Sequence, residues 1–241
     1  MTKLIINADD FGLSEGVNYG IISAYKSGVV RSTSTMANMP WFEHAMELLK
    51  ENENLGCGVH MTMSCYKPVL SNLKTMVDEN DYFIRRITNE VIENMDLDEI
   101  YEEFCAQIEK VRTKTDITHL DSHHHVHTLE KLRPVIERIL EKYDLPIRGG
   151  FEYDFNYSKI IPLIDTFYGE NVSYDYFMKK IDHLKSYEIA DIMCHPAYVD
   201  DFLMKTTSYS MARINEHKIL TSKDTKDFIQ DNFLLTNYRE L

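Results

Sequence analysis

Short apolar runs alternate with helix-forming stretches along this chain, and several of the runs end in aspartate or histidine. The runs are followed in turn by Asp9 and Asp10, by His60, by the polar segment 121–127, and by His195. Strands that alternate with helices form βα units with a mostly parallel sheet. Because sites in such folds gather at the carboxyl ends of the strands, we expect these polar side chains to face one mouth.

The same alternation predicts the individual elements. Apolar runs predict strands at 4–8, 29–39, 56–63, 117–121, 146–148 and 189–194. Helical spacing of apolar residues, with Ser14 as the first cap, predicts helices at 14–26, 42–52, 96–113, 129–143 and 224–232. The polar stretch 64–95 is long for a loop in a compact domain, which suggests a lid. No linker rich in Pro, Gly or Ser divides the chain, so we expect one α/β domain over residues 1–241.

The charge of the chain limits its partners. A formal net charge of −13 argues against nucleic acid and against a polybasic membrane contact, because phosphates would be repelled. No stretch approaches the roughly 18 apolar residues of a transmembrane helix, and the first apolar run is too short for a signal peptide. The four cysteines lack disulfide or zinc spacing, which is typical of a reducing compartment. We therefore expect a cytoplasmic protein.

Asp9 and Asp10 are adjacent carboxylates that follow the first predicted strand. In an extended backbone, neighbouring side chains point to opposite sides, so the two carboxylates are suited to different tasks. One can bind a metal while the other accepts a proton. A turn or a helix cap is the alternative interpretation, since Asp and Gly favour turns.

A histidine cluster is the strongest chemical signal, because five of the ten histidines lie between positions 119 and 127. Imidazole is a common ligand for zinc and other divalent metals. His123 and His127 share a face whether the segment is extended or forms a helical turn, whereas His125 joins them only in an extended segment. His119 and Asp121 are placed to orient ligands from behind. An adventitious metal-binding tract is the alternative.

Two further histidines follow predicted strands. His195 precedes Pro196, which restricts its backbone to an extended form and so fixes the direction of the imidazole. Such a group is suited to protonate a leaving amine. Taken alone, His60 is better explained as a structural polar residue, and His195 is equally well explained as a buried structural histidine.

Together these residue types fit the hydrolysis of an amide. A carboxylate and two histidines would hold a divalent metal with open positions for water, a second carboxylate would take the proton, and a histidine would protonate the departing nitrogen. The alternatives are a phosphoesterase or a cyclic amidase on a similar barrel, a non-catalytic metal or sugar binder, and a glycosidase. A phosphoesterase usually gathers more carboxylates for two metals, and a glycosidase leaves the histidines unexplained.

Four motifs resemble those of the YdjC-like carbohydrate deacetylases, a family that includes the chitooligosaccharide deacetylases. They are NADDFG at 7–12, GVH at 58–60, THLDSHHHVH at 118–127 and MCHP at 193–196. The resemblance covers most of the chain and implies a deformed β/α barrel of the glycoside hydrolase/deacetylase type. It also implies an enzyme that removes acetyl groups from N-acetylated sugars, such as chitobiose units, during oligosaccharide breakdown.

The resemblance implies one divalent metal ion held by Asp10, His60 and His123. His127 stays a further candidate, because the adjacent histidines leave the assignment open. Members of the family are described with magnesium. Two imidazoles suit zinc or another transition metal better, since magnesium prefers oxygen ligands.

The resemblance assigns the general base to Asp9 and the general acid, or its partner, to His195. Arg148 matches an arginine that orients the base carboxylate, although a salt bridge at the surface explains it equally well. An acetylated oligosaccharide is the implied substrate, and a homodimer is the implied assembly.

Overall fold

The computed structural model describes residues 1–241 except for the side chain of Asn89. Eight parallel strands form the centre of the fold. The strands are β1 (Lys3–Phe11), β2 (Ser32–Thr35), β3 (Gly56–Met61), β4 (Leu120–Ser122), β5 (Ile147–Arg148), β6 (Ile160–Ile161), β7 (Leu163–Ile164) and β8 (Ile189–Cys194). Hydrogen-bonded neighbours follow the order β6-β5-β4-β3-β2-β1-β8-β7, and the pairings are parallel. A further strand, β9 (Leu234–Thr236), runs parallel to the first residues of β1.

The sheet closes because β6 and β7 belong to one short run interrupted by Pro162. The backbone N–H of Gly149 donates to the carbonyl of Ile161 (2.7 Å), and that of Asp191 donates to the carbonyl of Pro162 (2.8 Å). The run therefore joins β5 at one edge of the sheet to β8 at the other. The result is a nearly closed barrel, which confirms the expected deformed β/α barrel with mostly parallel strands.

Helices follow most of the strands. They are α1 (Glu15–Ser27), α2 (Phe42–Lys50), α3 (Asn89–Glu93), α4 (Leu97–Arg112), α5 (Arg133–Tyr143), α6 (Tyr176–Lys179), α7 (Ile181–Lys185), α8 (Asp201–Thr206), α9 (Ala212–Thr221) and α10 (Lys223–Asn232). The predicted cap of α1 is confirmed, because the Ser14 side chain accepts a hydrogen bond from the N–H of Val17. Over the part of the chain that the structure describes, no helix combines the length and apolarity needed to cross a membrane.

Most predicted elements are present, several with shorter bounds. The strand predicted over 29–39 is only Ser32–Thr35. The helix predicted over 129–143 begins at Arg133, because Pro134 lacks an N–H and is tolerated only in the first helical turn. The sequence does not predict α3, β6, β7, β9 or α6 to α9. All of these except α9 have six residues or fewer, and runs this short show little periodicity.

The two faces of β1 serve different parts of the molecule. Leu4, Ile6 and Ala8 are fully buried in the main apolar core. Ile5 belongs instead to a small separate cluster with Ile161 and Tyr238. Because side chains alternate along a strand, Asn7 and Asp9 share the face of Ile5. The interior of the barrel therefore changes from apolar at Ile5 to polar and charged at Asp9.

The stretch 64–95, interpreted from its sequence as a lid, is fixed along part of its length to α4. The carboxylate of Glu103 accepts hydrogen bonds from the N–H groups of Val69 and Leu70 at 2.8 and 2.9 Å. Glu99 in the same helix accepts from the N–H groups of Lys74 and Thr75. These carboxylates satisfy backbone donors that would otherwise lack partners. Residues 69–75 are therefore held against α4.

Gly58 in β3 allows the ring of His119 to lie directly against the strand, and Gly58→Ala is expected to destabilise the protein. An added Cβ would lie 2.4 Å from Cε1 of His119. The ring cannot retreat, because its other face stacks on Tyr238 with the centroids 3.8 Å apart. Overpacking of this kind costs about 1–3 kcal/mol, which urea unfolding would measure.

Gly56→Ala in the same strand is the matched control. Its added Cβ would lie 3.3 Å from the nearest atoms, the Asn237 Cβ and the Ser32 Oγ, so the neighbours need to move much less. Equal destabilisation by the two substitutions would contradict the proposed close approach of His119 to Gly58.

Candidate active site

A cavity of about 290 Å³ opens at the carboxyl ends of the strands. The polar side chains that line it come from the ends of β1, β3, β4 and β8 and from the segments that follow β7 and β8. They are Asp9, Asp10, His60, Ser122, His123, His124, His125, Asp165, Tyr168, His195, Thr207, Tyr209 and Arg213. The expectation that polar groups after separate apolar runs face one mouth is therefore confirmed.

One carboxylate and two imidazoles converge in this cavity. The Oδ1 atom of Asp10 lies 3.4 Å from Nε2 of His60 and 3.3 Å from Nδ1 of His123. One donor atom from each of these residues lies within 4.8 Å of the other two. The same Oδ1 atom is buried and has no hydrogen-bond partner in the described part of the chain. Buried polar atoms without partners are rare, and a bound cation would satisfy this one.

Asp10 is aimed by its backbone and by an arginine. Its φ of 71° lies in the left-handed region, where the pairing of β1 with β2 shifts register between Ala8 and Phe11, and its side chain lines the cavity. Arg213 from α9 donates to Oδ2 of Asp10 at 2.6 Å, which leaves Oδ1 free to face His60 and His123. Burial alone would raise the pKa of Asp10, but Arg213 and the two imidazoles hold it well below the usual value. The carboxylate is therefore charged.

His60 is oriented by Asp121, as the sequence suggested. Nδ1 of His60 and Oδ1 of Asp121 are 2.8 Å apart, so the other ring nitrogen faces Asp10. Oδ2 of Asp121 accepts from Ser34 and pairs with Arg148 at 2.9 Å. Burial opposes a charged imidazole, but Asp121 and Asp9 raise the pKa of His60 to about 10. Metal binding needs neutral imidazole and would release this proton.

The histidine cluster turns sharply instead of being extended or helical. His124 and His125 adopt φ of 56° and 53°, within a 3₁₀ segment (His123–Thr128). Two successive left-handed residues reverse the chain, so neither of the spacings considered from sequence applies. The turn points His123 at Asp10. It sends His127 into the protein, where its ring nitrogens bond to the Ser122 hydroxyl (2.5 Å) and the Arg148 carbonyl (3.0 Å).

Both carboxylate oxygens of Asp9 accept hydrogen bonds from Arg148. The NH1 and NH2 groups of the arginine donate to Oδ2 and Oδ1 of Asp9 at 2.6 and 2.7 Å. Asn7 donates to Oδ1 as well, at 2.7 Å. Burial raises the pKa of Asp9, but the charge and hydrogen bonds of Arg148 together with His60 lower it by more, so the pKa is below its usual value. The guanidinium is fully buried, so the alternative of a surface salt bridge for Arg148 is wrong.

His195 also lines the cavity, with 12% of its side chain exposed. Glu216 of α9 accepts a hydrogen bond from the His195 backbone N–H, and its Oε1 atom lies 3.8 Å from Nδ1 of the ring. The hydroxyl of Tyr209 donates to the same carboxylate. No sequence signal indicates the roles of Arg213, Glu216 and Tyr209, because their segment follows no apolar run and because Arg213 and Glu216 bond to Asp10 and His195, which lie 203 and 21 residues away.

Two fully buried histidines make the metal-free protein sensitive to mild acid. Burial lowers the pKa of His119 and His127 to about 3 from an ordinary value of 6.5. Both are neutral above pH 6.5 in the folded and unfolded chain. As the pH falls below 6.5, the unfolded chain gains protons that the folded protein does not accept. Each histidine then lowers the free energy of unfolding by about 1.4 kcal/mol per pH unit.

Urea unfolding between pH 6.5 and 5 in the presence of chelator would measure this slope. His127→Gln keeps a side chain that can hydrogen-bond but removes one titrating group. It should therefore reduce the slope of the free energy of unfolding against pH by about 1.4 kcal/mol per pH unit. An unchanged slope in that variant would show that His127 is not buried in its neutral form.

The fold and the site define a class of protein. It is an α/β barrel with a cavity at the carboxyl ends of the strands, lined by a carboxylate–imidazole group, by a second carboxylate paired with a buried arginine, and by a further histidine. Two groups of potential metal ligands, Asp10 with His60 and His123, and Asp9 with His60 and Asp121, share His60. In the second group Arg148 pairs with both carboxylates, whereas among the described residues no arginine bridges two members of the first.

Comparison with known proteins identifies the family within that class. The model of the family described as YdjC-like protein matches residues 3–231. A carbohydrate deacetylase from Halalkalibacterium halodurans is 42% identical, covering 91% of this chain and 95% of that protein. One from Geobacillus stearothermophilus is 39% identical, with 98% and 96% covered. This chain belongs to the YdjC-like family, which confirms the resemblance seen in its motifs.

A solved structure supports the same placement. The crystal structure of a provisionally named cellobiose-phosphate cleavage protein from Enterococcus faecalis is 35% identical and superposes with a TM-score of 0.92. The match covers 99% of this chain and 98% of that one. The barrel and its closure are therefore features of a known fold.

Proposed function

We propose that this protein is a metal-dependent deacetylase that hydrolyses the acetamide group of N-acetylated sugars. The observation that carries the proposal is the convergence of Asp10, His60 and His123 around a buried carboxylate oxygen without a partner. The relatives named carbohydrate deacetylase support the reaction class. Chitobiose units are the substrate that we propose to test first.

The metal would be held by Oδ1 of Asp10, Nε2 of His60 and Nδ1 of His123. Three protein ligands with open positions are typical of catalytic zinc sites, and the two imidazoles favour zinc or another transition metal over magnesium. When bound, such an ion lowers the pKa of water and polarises a carbonyl. His127 is outside this proposed ligand set, because both of its ring nitrogens already have partners.

Asp9 and His195 would move the protons. Asp9, held at both oxygens by Arg148, would accept a proton from the attacking water. His195 would donate a proton to the amide nitrogen as the C–N bond breaks, releasing acetate and the free amino sugar. Glu216 fixes the backbone of His195 and faces its ring. Asp9 and His195 both line the same cavity as the proposed metal ligands.

The exposed ring of Tyr168 favours a sugar as the substrate. Tyr168 is 43% exposed, lines the cavity, and lies 5.6 Å from the ring of His195, centroid to centroid. Its inner face stacks on Tyr209 at 4.1 Å, which leaves the outer face available. A sugar whose nitrogen reaches His195 would place its apolar face beside this ring. Offset aromatic contacts of this kind stabilise apolar surfaces without charge.

A phosphoesterase with two metals is disfavoured by Arg148. The second group of potential ligands consists of Asp9, His60 and Asp121. Arg148 NH1 lies 2.6 Å from Asp9 and 2.9 Å from Asp121, so a guanidinium already occupies the position of a second cation. A non-catalytic binder would not need a braced base and a facing histidine, and it is the weaker alternative.

The reaction and the metal can be tested together. Metal-stripped protein should release no acetate from diacetylchitobiose, and activity should return with zinc, cobalt, manganese or magnesium added singly. No acetate with any of these metals would reject the chitobiose assignment and direct the test to other acetylated sugars. Release of phosphate from sugar phosphates would instead support the phosphoesterase.

The ligand set has its own matched test. His123→Ala should reduce bound metal from about one ion per chain to a small fraction, since it removes one of three ligands. His127→Gln should retain the metal. Metal analysis after dialysis would distinguish them, and the opposite result would move the ligand role to His127.

A further inference from the structure

A tyrosine after β9 approaches the candidate active site from the opposite end of the barrel. Tyr238 lines a cavity of about 580 Å³ together with Thr118 and Pro146, which precede β4 and β5. This cavity therefore lies at the amino ends of the strands. The side chain of Tyr238 is only 2% exposed and packs on Ile5, inside the barrel and on the same face of β1 as Asp9.

The hydroxyl of Tyr238 is two side chains away from Asp9. It donates to Oδ2 of Asp191 at 2.6 Å, and Nε of Arg148 donates to the same oxygen at 2.7 Å. The other two nitrogens of that guanidinium hold Asp9. Burial raises the pKa of Tyr238 well above its usual value, so the hydroxyl remains a donor.

The ring of Tyr238 reaches Asp9 by a second route. It stacks on His119 with an interplanar angle of 8°. Nε2 of His119 lies 3.0 Å from the hydroxyl of Ser34. Asn7 donates both to that hydroxyl and to Oδ1 of Asp9, at 2.7 Å in each case. The Tyr238 side chain is thus connected to the Asp9 carboxylate through Arg148 and also through Asn7.

We propose that Tyr238 is a positioning residue for the general base, holding Arg148, and through it Asp9, in the orientation that the reaction needs. The inference rests on the proposed function for the role of Asp9. Nothing at the mouth of the barrel would reveal this contribution, because Tyr238 does not line the catalytic cavity.

Asp191 explains why the hydroxyl matters. Its Oδ1 atom has no hydrogen-bond partner in the described part of the chain, and both donors to the group act on Oδ2. Burial raises the pKa of Asp191 to about 6, against the effect of Arg148 and Tyr238. Without the hydroxyl, Nε of Arg148 is the single remaining donor. A carboxyl group that is less strongly charged holds the arginine less firmly.

Tyr238→Phe removes the hydroxyl and keeps the ring. We expect kcat for acetate release to fall about fivefold or more, the scale of one lost hydrogen bond acting in the transition state. The KM and the metal content should stay within about twofold, because the substitution changes neither the proposed metal ligands nor Tyr168. Tyr238→Leu also removes the stacking on His119 and should reduce kcat further.

Tyr157→Phe is the matched control. Its hydroxyl donates to the carbonyl of Leu145 at 2.8 Å, outside this network. The substitution removes one hydrogen bond of similar length but should leave kcat unchanged. If Tyr238→Phe matches the wild type in kcat, or if KM changes in place of kcat, Tyr238 only packs and the proposal fails.

A second measurement needs no substrate. The Nε–H of Arg148 should exchange slowly with solvent in ¹⁵N NMR spectra of the wild type, since it is buried and bonded to Asp191. Its exchange should be at least about tenfold faster in Tyr238→Phe and unchanged in Tyr157→Phe. Equal exchange in all three proteins would overturn the inference. An inactive wild type with the expected exchange pattern would reject the proposed function alone.

Discussion

Asp9→Asn is expected to lower kcat for acetate release by roughly 10²–10⁴-fold, the usual contribution of a general base. The amide cannot accept a proton from water, although it has nearly the same shape. The remaining ion pairs of Arg148 with Asp121 and Asp191 keep the arginine in place. Steady-state assays on diacetylchitobiose would measure the loss, and KM should change little because the substitution removes a transition-state interaction.

Asp10→Asn is the control that separates the two neighbouring carboxylates. The proposed roles predict that Asp9→Asn keeps its bound metal, whereas Asp10→Asn loses most of it, because an amide is a weaker ligand than a carboxylate. Metal analysis of the dialysed proteins gives the comparison. Loss of metal from Asp9→Asn, with retention in Asp10→Asn, would exchange the two assignments.

Arg148→Met should cause the largest loss of stability of any single substitution discussed. The guanidinium is fully buried and pairs with three carboxylates, those of Asp9, Asp121 and Asp191. Its removal leaves buried charges uncompensated, and breaking a buried pair by removing one partner costs about 3–5 kcal/mol. Urea unfolding of the metal-free protein would measure the loss, provided that the variant folds.

Arg148→Lys provides a milder variant, because one ammonium keeps the charge but cannot reproduce the fork that grips both oxygens of Asp9. We expect it to fold and to lose activity more than stability. Arg138→Met is the surface control, since Arg138 is about half exposed and pairs with the exposed Asp98. If Arg148→Met were as stable as Arg138→Met, the buried network would contribute no stability.

The positions of the main elements could be predicted because their signals are local. The helix capped by Ser14 and the buried strands β1, β3 and β8 are each specified by residues within one segment. The strands β6 and β7 escaped prediction because two residues show no alternation. Their place in the barrel is instead decided by hydrogen bonds to Gly149 and Asp191.

The residues of the candidate site likewise include some that local sequence signals predict and others that they do not. Asp9, Asp10, His60, His123 and His195 could be proposed from sequence, because they lie at or shortly after the ends of apolar runs and within the motifs that resemble those of the family. Arg213 and Glu216 could not, since they lie in α9, whose residues show no clear helical periodicity and follow no apolar run. Their roles depend on partners at Asp10 and His195 that only the folded chain brings near.

The sequence by itself determined the parallel barrel, its family and the end at which polar side chains gather, because alternating apolar runs and strand-end residues are local patterns. Only the tertiary structure shows that His123 faces Asp10 while His127 points into the protein, since two left-handed residues between them change the direction of each side chain in a way that spacing cannot convey. It also decided that Arg148 is a buried brace and that Tyr238 supports it from below. Contacts between distant segments depend on three-dimensional proximity, which no single segment encodes.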